Sequence, residues 1–289
     1  MSEIRAADPG LPLRRRRRLL VERHTRVTRL THWINLLCVA VLLMSGLQIF
    51  NAHPALYWGQ FGSDTDRAVF EIGSDDSGSG PPAGFARIGS STFETSGILG
   101  VSRDPSGEVV RRGFPRWVTL PGWRDLAMGR RWHFFFAWAF VANLLLYLVA
   151  AIASGHFWRD LLPSKQQLRL RSLLRDAADH LRLKFPRGEA ARHYNPLQKL
   201  TYLGVIFVLL PLMILTGLAM SPGMDAILPW LVDLFGGRQS ARMIHFIAAS
   251  LIVLFVFVHV AMVVLAGPLN ELRSMITGRF AIFVEDDHA

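Results

Sequence analysis

The chain has 289 residues, 51% of them hydrophobic, and this proportion with a positive mean hydropathy indicates an integral membrane protein rather than a soluble domain. Its single cysteine, Cys38, excludes an internal disulfide and any zinc or iron–sulfur site built from several cysteines. A net charge of +10 would suit nucleic-acid binding, but the cations are concentrated in two connecting segments, so no nucleic-acid partner is expected.

The chain begins with a basic segment, residues 1–29, which contains nine arginines and three acidic residues. We interpret the run Arg14–Arg18 as an orientation signal beside anionic membrane lipid. The segment is not expected to be a cleavable signal peptide, because no small-residue cleavage site follows the first apolar stretch.

Four apolar stretches follow, each close to the ~20 residues that a helix needs to cross a bilayer. They predict membrane spans at about 30–50, 132–152, 200–220 and 243–265. Together with their connections they form one predicted membrane domain, residues 30–266. The expected fold class is an all-α membrane protein, a four-transmembrane-helix bundle with short interfacial helices.

Charge in the connections predicts the orientation of the bundle. Residues 154–199 contain ten Lys/Arg and four acids, whereas 221–242 contain two of each. Because Lys and Arg accumulate on the cytoplasmic side, segments 1–29 and 154–199 are predicted to face the cytoplasm from a bacterial inner membrane. Four spans then also place the tail, 267–289, in the cytoplasm and the long segment 51–131 in the periplasm.

Both long connections contain patterns of their own. Ser74–Gly84 is rich in Gly, Ser and Pro and is expected to be flexible. Gly97–Phe114 reads as two short strands around the turn sequence Asp104–Gly107, so we expect a small β-hairpin there, with a disordered loop as the alternative. Gln166–Leu183 has apolar residues at helical spacing against a basic remainder, which predicts a helix on the inner membrane surface, and the tail after Pro268 begins similarly.

The last span carries two histidines, His245 and His259, as its only ionisable side chains. Fourteen residues separate them, so at ~100° and ~1.5 Å per residue they share one helix face and lie ~21 Å apart. An ionisable residue in hydrocarbon costs at least ~2.5 kcal/mol on insertion scales, and two on one face indicate a shared purpose. The simplest is two metal centres, one near each membrane surface, each completed by a histidine from another helix.

Depth in the membrane selects those partners. The first span has His32 near its cytoplasmic start, and the second has His133 near its outer start. The predicted pairs are therefore His133 with His245 on the outer side and His32 with His259 on the inner side. Zinc sites in proteins use three or four protein ligands, whereas two imidazoles between packed helices suit a haem b, so two haems b are predicted.

Small and basic residues near these centres are interpreted accordingly. Gly46 and Gly217 lie at outer depth and are predicted to give clearance to the outer porphyrin, with ordinary helix packing as the alternative. Arg131, two residues before His133, is a candidate partner for a haem propionate. Other arginines at the span ends are candidates for the same role: Arg29, Arg130 and Arg242.

The start of the third span is a candidate quinone site. His193 opens the sequence HYNPLQK, and Asn195 and Gln198 follow it at a depth near His259. Their side chains would hydrogen-bond a quinone carbonyl, and a helix-start cap is the alternative. The remaining histidines of the inner side are expected to be solvated: His24, His156, His180 and His288.

The histidine-bearing segments are RLTHWINLLCVAVLLMSGLQI, RRWHFFFAWAF, HYNPLQKLTYLGVIFVLLPLMILTGLAM and the last span with ELRSMITGRF after it. They cover most of the chain outside 62–112. In these segments the chain resembles the di-haem cytochrome b subunits that include formate dehydrogenase gamma subunits, nickel–iron hydrogenase cytochrome b, thiosulfate reductase cytochrome b and bacterial cytochrome b561. The resemblance implies four axial ligands, namely His32, His133, His245 and His259, and quinone chemistry near Asn195, Gln198 and His259.

Members of that family carry electrons between a catalytic subunit outside the membrane and the quinone pool. The resemblance therefore implies a periplasmic partner, a molybdopterin oxidoreductase or another redox subunit, and menaquinone or ubiquinone as substrate. A stand-alone b561-type quinone reductase that oxidises a small reductant such as superoxide is an alternative, although the long outer segment favours a docking partner. A proton-relaying transporter would need carboxylates inside the spans, which contain none, and a bare membrane anchor would leave four histidines unexplained.

Overall fold

The computed structural model describes residues 16–62, 66–77, 80–182 and 195–285 of the chain. Four of its helices are long and apolar enough to cross a membrane, which confirms that prediction, and they are called the first to fourth spans. They comprise Arg26–Phe50, Leu126–Ala153, Pro196–Ala219 and Arg238–Ala266. Each begins before its predicted start, because polar residues that do not belong in hydrocarbon still continue the helix towards the membrane surface.

Local sequence fixes where the spans begin. The side chains of Thr25 and Asp125 cap the first and second spans, and each accepts a hydrogen bond from the backbone N–H three residues later, at 3.1 and 2.8 Å. The fourth span follows Gly237, which has a φ of 112° and lies so close to the backbone of Gly59 that a side chain would not fit.

The spans pack chiefly as two pairs, the first against the second and the third against the fourth. A core cluster of Cys38, Phe140, Leu144 and Leu210 joins the first three spans. Their other faces are apolar and exposed, and only 6% of the most apolar window of the fourth span is buried. A water-soluble bundle would bury such faces, whereas lipid contact does not require it.

Two strands near the ends of the chain meet at one end of the bundle, which we call the terminal end. Strand β1 (Arg16–Glu22) pairs antiparallel with the last strand, β8 (Arg279–Glu285). A helix over Pro268–Thr277 connects the fourth span to β8, and its Glu271 forms an ion pair with Arg23 at 3.0 Å. These contacts fold the tail back onto the start of the first span, an arrangement that the sequence did not predict.

Shorter helices lie in the other connections. Leu170–Leu181 is helical within the predicted amphipathic segment between the second and third spans. Two short helices, Pro222–Ile227 and Trp230–Leu234, link the third span to the fourth.

The segment between the first two spans covers the opposite end of the bundle, which we call the loop end. It contains a four-stranded antiparallel sheet and a two-stranded one. Their strands are β2 (Ala55–Leu56), β3 (Phe70–Asp75), β4 (Ala83–Ile88), β5 (Ser91–Glu94), β6 (Gly100–Arg103) and β7 (Val109–Arg112). A single small hairpin was predicted here, within an otherwise all-α protein, and the described residues of this segment form six strands instead. Two of them, β3 and β4, extend into the two ends of Ser74–Gly84, the stretch expected to be flexible.

The two sheets, which together we call the cap, are tied to the bundle by both apolar and polar contacts. Phe50, Leu56, Ile72 and Met243 form one buried cluster that joins the cap to the first and fourth spans. The backbones of the two sheets approach closely at Gly100, which has a φ of 75°. A Cβ at this position would overlap the carbonyl of Gly73, so the approach requires glycine.

A buried arginine, Arg112, makes the polar link between the cap and the first span. It is only 7% exposed and donates to the Thr119 hydroxyl at 2.9 Å, to the Gly122 carbonyl at 2.7 Å and to the Gln48 side chain. All three acceptors are neutral. Burial, with smaller contributions from Arg124 and Arg116, therefore holds the pKa of the Arg112 guanidinium below its usual range.

His24, expected to be solvated, is partly buried at the terminal end, and burial is the main reason that its pKa is lowered from 6.5 to about 4. The unfolded chain therefore binds this proton more readily, so His24 costs no stability above about pH 6.5 and costs progressively more as the pH falls towards 4. We expect wild-type protein to lose thermal stability between about pH 7 and pH 5, and His24→Gln to lose less. Melting curves at the two pH values test this, and equal losses in the two proteins would contradict it.

Candidate functional site

Four histidines from three spans meet as two pairs, one at each end of the bundle. At the loop end the ring centroids of His133 and His245 are 6.4 Å apart, with an interplanar angle of 59°. At the terminal end those of His32 and His259 are 6.3 Å apart at 62°. The structure thus brings together the same partners that depth in the membrane predicted.

These separations fit a metal ion held between two imidazoles. A first-row metal binds an imidazole nitrogen at ~2.0–2.1 Å, and each nitrogen lies ~1.1 Å from its ring centre, so one ion between two rings separates their centroids by about 6.3 Å. The rings are too far apart to hydrogen-bond each other directly.

Among the residues that the structure describes, neither pair belongs to a larger cluster of possible metal ligands. Within the part of the chain that the structure describes, no group of three or more His, Cys, Asp or Glu side chains is placed to hold a metal. A zinc site would need such a group, whereas the iron of a haem receives its other four nitrogens from the porphyrin. The donor set at both ends of the bundle therefore fits a haem with two histidine ligands.

Two buried hydroxyls lie beside the loop-end pair. The Ser45 hydroxyl is 3.1 Å from Nδ1 of His133, and the Thr216 hydroxyl is 2.9 Å from Nδ1 of His245. Ser45 lies in the first span and Thr216 in the third, so each of the two histidines contacts the span that is paired with its own.

The two glycines assigned to porphyrin clearance lie against the histidine rings. A Cβ on Gly46 would be 3.4 Å from Cε1 of His133, and one on Gly217 would be 3.5 Å from Cε1 of His245. An added methyl group would thus make ordinary van der Waals contact with the ring, whereas a larger side chain would press against it. Both glycines therefore lie in contact with the histidine rings, and porphyrin clearance by them stays a prediction.

The terminal-end pair has aromatic neighbours. The Phe255 ring stacks on His259 with centroids 5.8 Å apart, and Trp33 meets His32 edge-on at 5.6 Å. The Trp33 indole N–H donates to the Met275 carbonyl at 3.2 Å, which ties this neighbour to the folded-back tail.

The candidate arginines differ in their surroundings. Arg131 is exposed beside the loop-end pair, and Arg130 lies over the Phe134 ring at 5.7 Å. Arg242 donates to the Ala55 carbonyl of the cap at 2.9 Å and to the carbonyl of His53, and thereby joins the cap to the fourth span. Arg29 donates to the Ile276 carbonyl at 2.5 Å, while its buried Nε has no partner among the described residues.

The predicted quinone-site residues form the start of the third span. Asn195 and Gln198 make a reciprocal capping box, in which the Gln198 side chain accepts from the Asn195 backbone N–H at 3.2 Å. The helix-capping role that was the alternative for these residues is therefore present. A quinone contact by the same residues stays a prediction. His193 and His288 lie outside the described residues.

Sequence reasoning missed Ser45 and Thr216. The available signal was a hydroxyl residue followed by glycine, which occurs as Ser45–Gly46 in the first span and as Thr216–Gly217 in the third. Each pair lies at the depth of a loop-end histidine. The sequence analysis assigned a role to both glycines because they are small, but it assigned none to the hydroxyl residue before each one.

Comparison with known proteins identifies the family of the chain. The family model described as prokaryotic cytochrome b561 matches residues 23–278, which include both histidine pairs. The chain is 30% identical over 250 residues to a protein of Azospira oryzae named putative protein-methionine-sulfoxide reductase subunit YedZ1, and the match covers 86% of this chain and 93% of that protein.

Proposed function

Since the chain belongs to the prokaryotic cytochrome b561 family, we propose that it is a di-haem cytochrome b subunit that carries electrons between a periplasmic oxidoreductase and the quinone pool. The resemblance seen in its histidine-bearing segments is thereby confirmed at the level of the family. The observation that carries the two-haem assignment is the nearly equal spacing of the two histidine pairs, 6.4 and 6.3 Å between ring centroids.

Haem iron, when bound, supplies reversible one-electron transfer. The four histidines of this chain would hold the two haems, two imidazoles to each, and such a ligand set favours electron transfer over bond-making chemistry. Because His245 and His259 lie on one helix ~21 Å apart, they support one centre near each membrane surface.

The terminal end is the proposed site of quinone exchange. It includes the capped start of the third span, with Asn195 and Gln198, and the pair that contains His259. The basic segments that predict a cytoplasmic location, 1–29 and 154–199, join the spans at this end, so we place it on the cytoplasmic side of the inner membrane.

The loop end is the proposed side of electron exchange with the partner. The Azospira oryzae relative is named as a reductase subunit, which supports a catalytic partner for this chain as well. A periplasmic molybdopterin oxidoreductase is the partner class that we propose, with the cap as the surface nearest to it.

A reduced-minus-oxidised visible spectrum with a pyridine haemochrome assay tests the cofactor assignment. We expect two b-type haems per chain, because each pair supplies two axial ligands. Protein produced with haem available but containing none would refute the proposal and favour a non-haem anchor.

A further inference from the structure

The first and third spans each place a buried hydroxyl residue, followed by a glycine, beside one of the loop-end histidines. Ser45 and Thr216 are fully buried, and each precedes the glycine that lies against a histidine ring. The Ser45 hydroxyl donates to the carbonyl of Val41 at 2.6 Å, and the Thr216 hydroxyl donates to that of Leu212 at 2.6 Å. The first and third spans thus provide equivalent hydroxyls to the two loop-end ligands.

The hydrogen bonds decide which ring nitrogen carries the proton. Each hydroxyl has one proton, which it donates to the carbonyl four residues earlier, so towards the imidazole it accepts. In both rings Nδ1 is therefore the donor, and Nε2 holds the lone pair that a metal requires.

We propose that Ser45 and Thr216 are positioning residues of the loop-end centre, whose hydroxyls hold the Nδ1 protons of His133 and His245 and thereby lower the reduction potential of the haem between them. This inference rests on the proposed function, since it concerns a haem ligated by those two histidines. A ligand whose N–H donates to an acceptor is a more basic ligand, and a more basic ligand favours ferric over ferrous iron.

The terminal-end centre provides an internal comparison. Among the described residues, neither His32 nor His259 is hydrogen-bonded to a hydroxyl, and their near neighbours include the rings of Trp33 and Phe255. The same substitutions at Ser45 and Thr216 should therefore leave the terminal-end potential unchanged. A His32→Ala background, expected to retain only the loop-end haem, assigns the two potentials in a titration.

Two substitutions at one position separate the hydroxyl from its packing. Thr216→Val keeps the shape of the side chain and removes the hydroxyl, whereas Thr216→Ser keeps the hydroxyl and removes a methyl group. In redox titrations of the haem-loaded protein, we expect Thr216→Val to raise the loop-end potential by about 59 mV, a tenfold change for one electron. Thr216→Ser should stay near the wild-type value.

Ser250→Ala is the matched control for loss of a hydroxyl inside a span. Ser250 lies on the fourth span between His245 and His259, and its hydroxyl donates to the Phe246 carbonyl at 2.9 Å in the same way. Its removal should leave both potentials unchanged. Ser45→Ala should raise the loop-end potential as Thr216→Val does, and it decides the question if the valine variant does not fold.

The outcomes separate this inference from the function on which it rests. Loss of the loop-end haem in Thr216→Val but not in Thr216→Ser would also support a role for the hydroxyl. Equal shifts in these two variants, or a wild-type potential in Thr216→Val and Ser45→Ala, would overturn the inference while leaving the haem assignment intact. Wild-type protein without haem would instead refute the proposed function.

Discussion

His133→Ala is expected to lower the haem content of the purified protein from two per chain towards one. The two histidine pairs share no ligand and lie ~21 Å apart along the fourth span, so loss of one loop-end imidazole leaves His32 and His259 in place. With His245 alone, the loop end would offer one imidazole in place of two and would hold a haem less tightly. Pyridine haemochrome stoichiometry and the reduced-minus-oxidised spectrum measure this loss directly.

The complementary variants make the test specific. His32→Ala should remove the terminal-end haem instead, and the double variant His32→Ala/His133→Ala should contain none. His53→Ala is the control, because His53 lies just beyond the first span at the loop end, where its ring stacks on Tyr57 with centroids 5.7 Å apart. It should keep both haems. Two haems retained in His133→Ala would show that the loop-end pair is not a ligand pair.

The spans and the partners within each pair could be predicted because they depend on short-range rules. A stretch of ~20 apolar residues specifies a membrane helix without reference to the rest of the chain. The fourteen-residue interval between His245 and His259 fixes their relative positions by helical geometry alone. The orientation of successive spans alternates, so His32 and His133 had to lie at opposite depths.

The strands at both ends of the bundle could not be predicted in the same way. β1 includes Arg16–Arg18, whose charge suggested a membrane-orientation signal, and its pairing with β8 joins residues at opposite ends of the sequence. β3 and β4 contain Gly73 and Gly84, and both strands extend into Ser74–Gly84, whose Gly, Ser and Pro content predicted a flexible stretch. In the structure such glycines let strands approach closely, a tertiary requirement that local pattern does not reveal.

The residues around the histidines show the same division. Candidate ligands are recognisable because placing a histidine in hydrocarbon costs free energy and therefore indicates a function. A serine or threonine in a span can donate its hydroxyl to a carbonyl of its own helix, so its presence there indicates no particular function. Only the packing of one span against another shows that Ser45 faces His133 and that Thr216 faces His245. Asn195 and Gln198 show the opposite case, because side chains predicted to contact a quinone also cap a helix in the structure.

Arg112→Ala is expected to cost about 3 kcal/mol or more of cap stability, because hydrogen bonds that involve a charged group contribute ~1.5–3 kcal/mol each and three acceptors would lose their donor. The variant should leave Gln48 and Thr119 buried without the guanidinium that joins them to β7. For a chain of this size, each kcal/mol lowers the melting temperature by ~2–4 °C. Limited proteolysis of the cap and thermal melting provide two measurements of the loss.

The neighbouring residue supplies a matched control for that experiment. Arg111 lies on the same strand but is exposed, and its ion pair with Asp76, at 3.2 Å, belongs to a class worth at most ~1 kcal/mol. Arg111→Ala should therefore change cap stability little. Arg112→Lys should behave more like alanine, because an ammonium cannot reproduce the planar fork that reaches several acceptors at once. If Arg112→Ala were as stable as Arg111→Ala, the cap would depend on its apolar contacts through Phe50 and Leu56 instead.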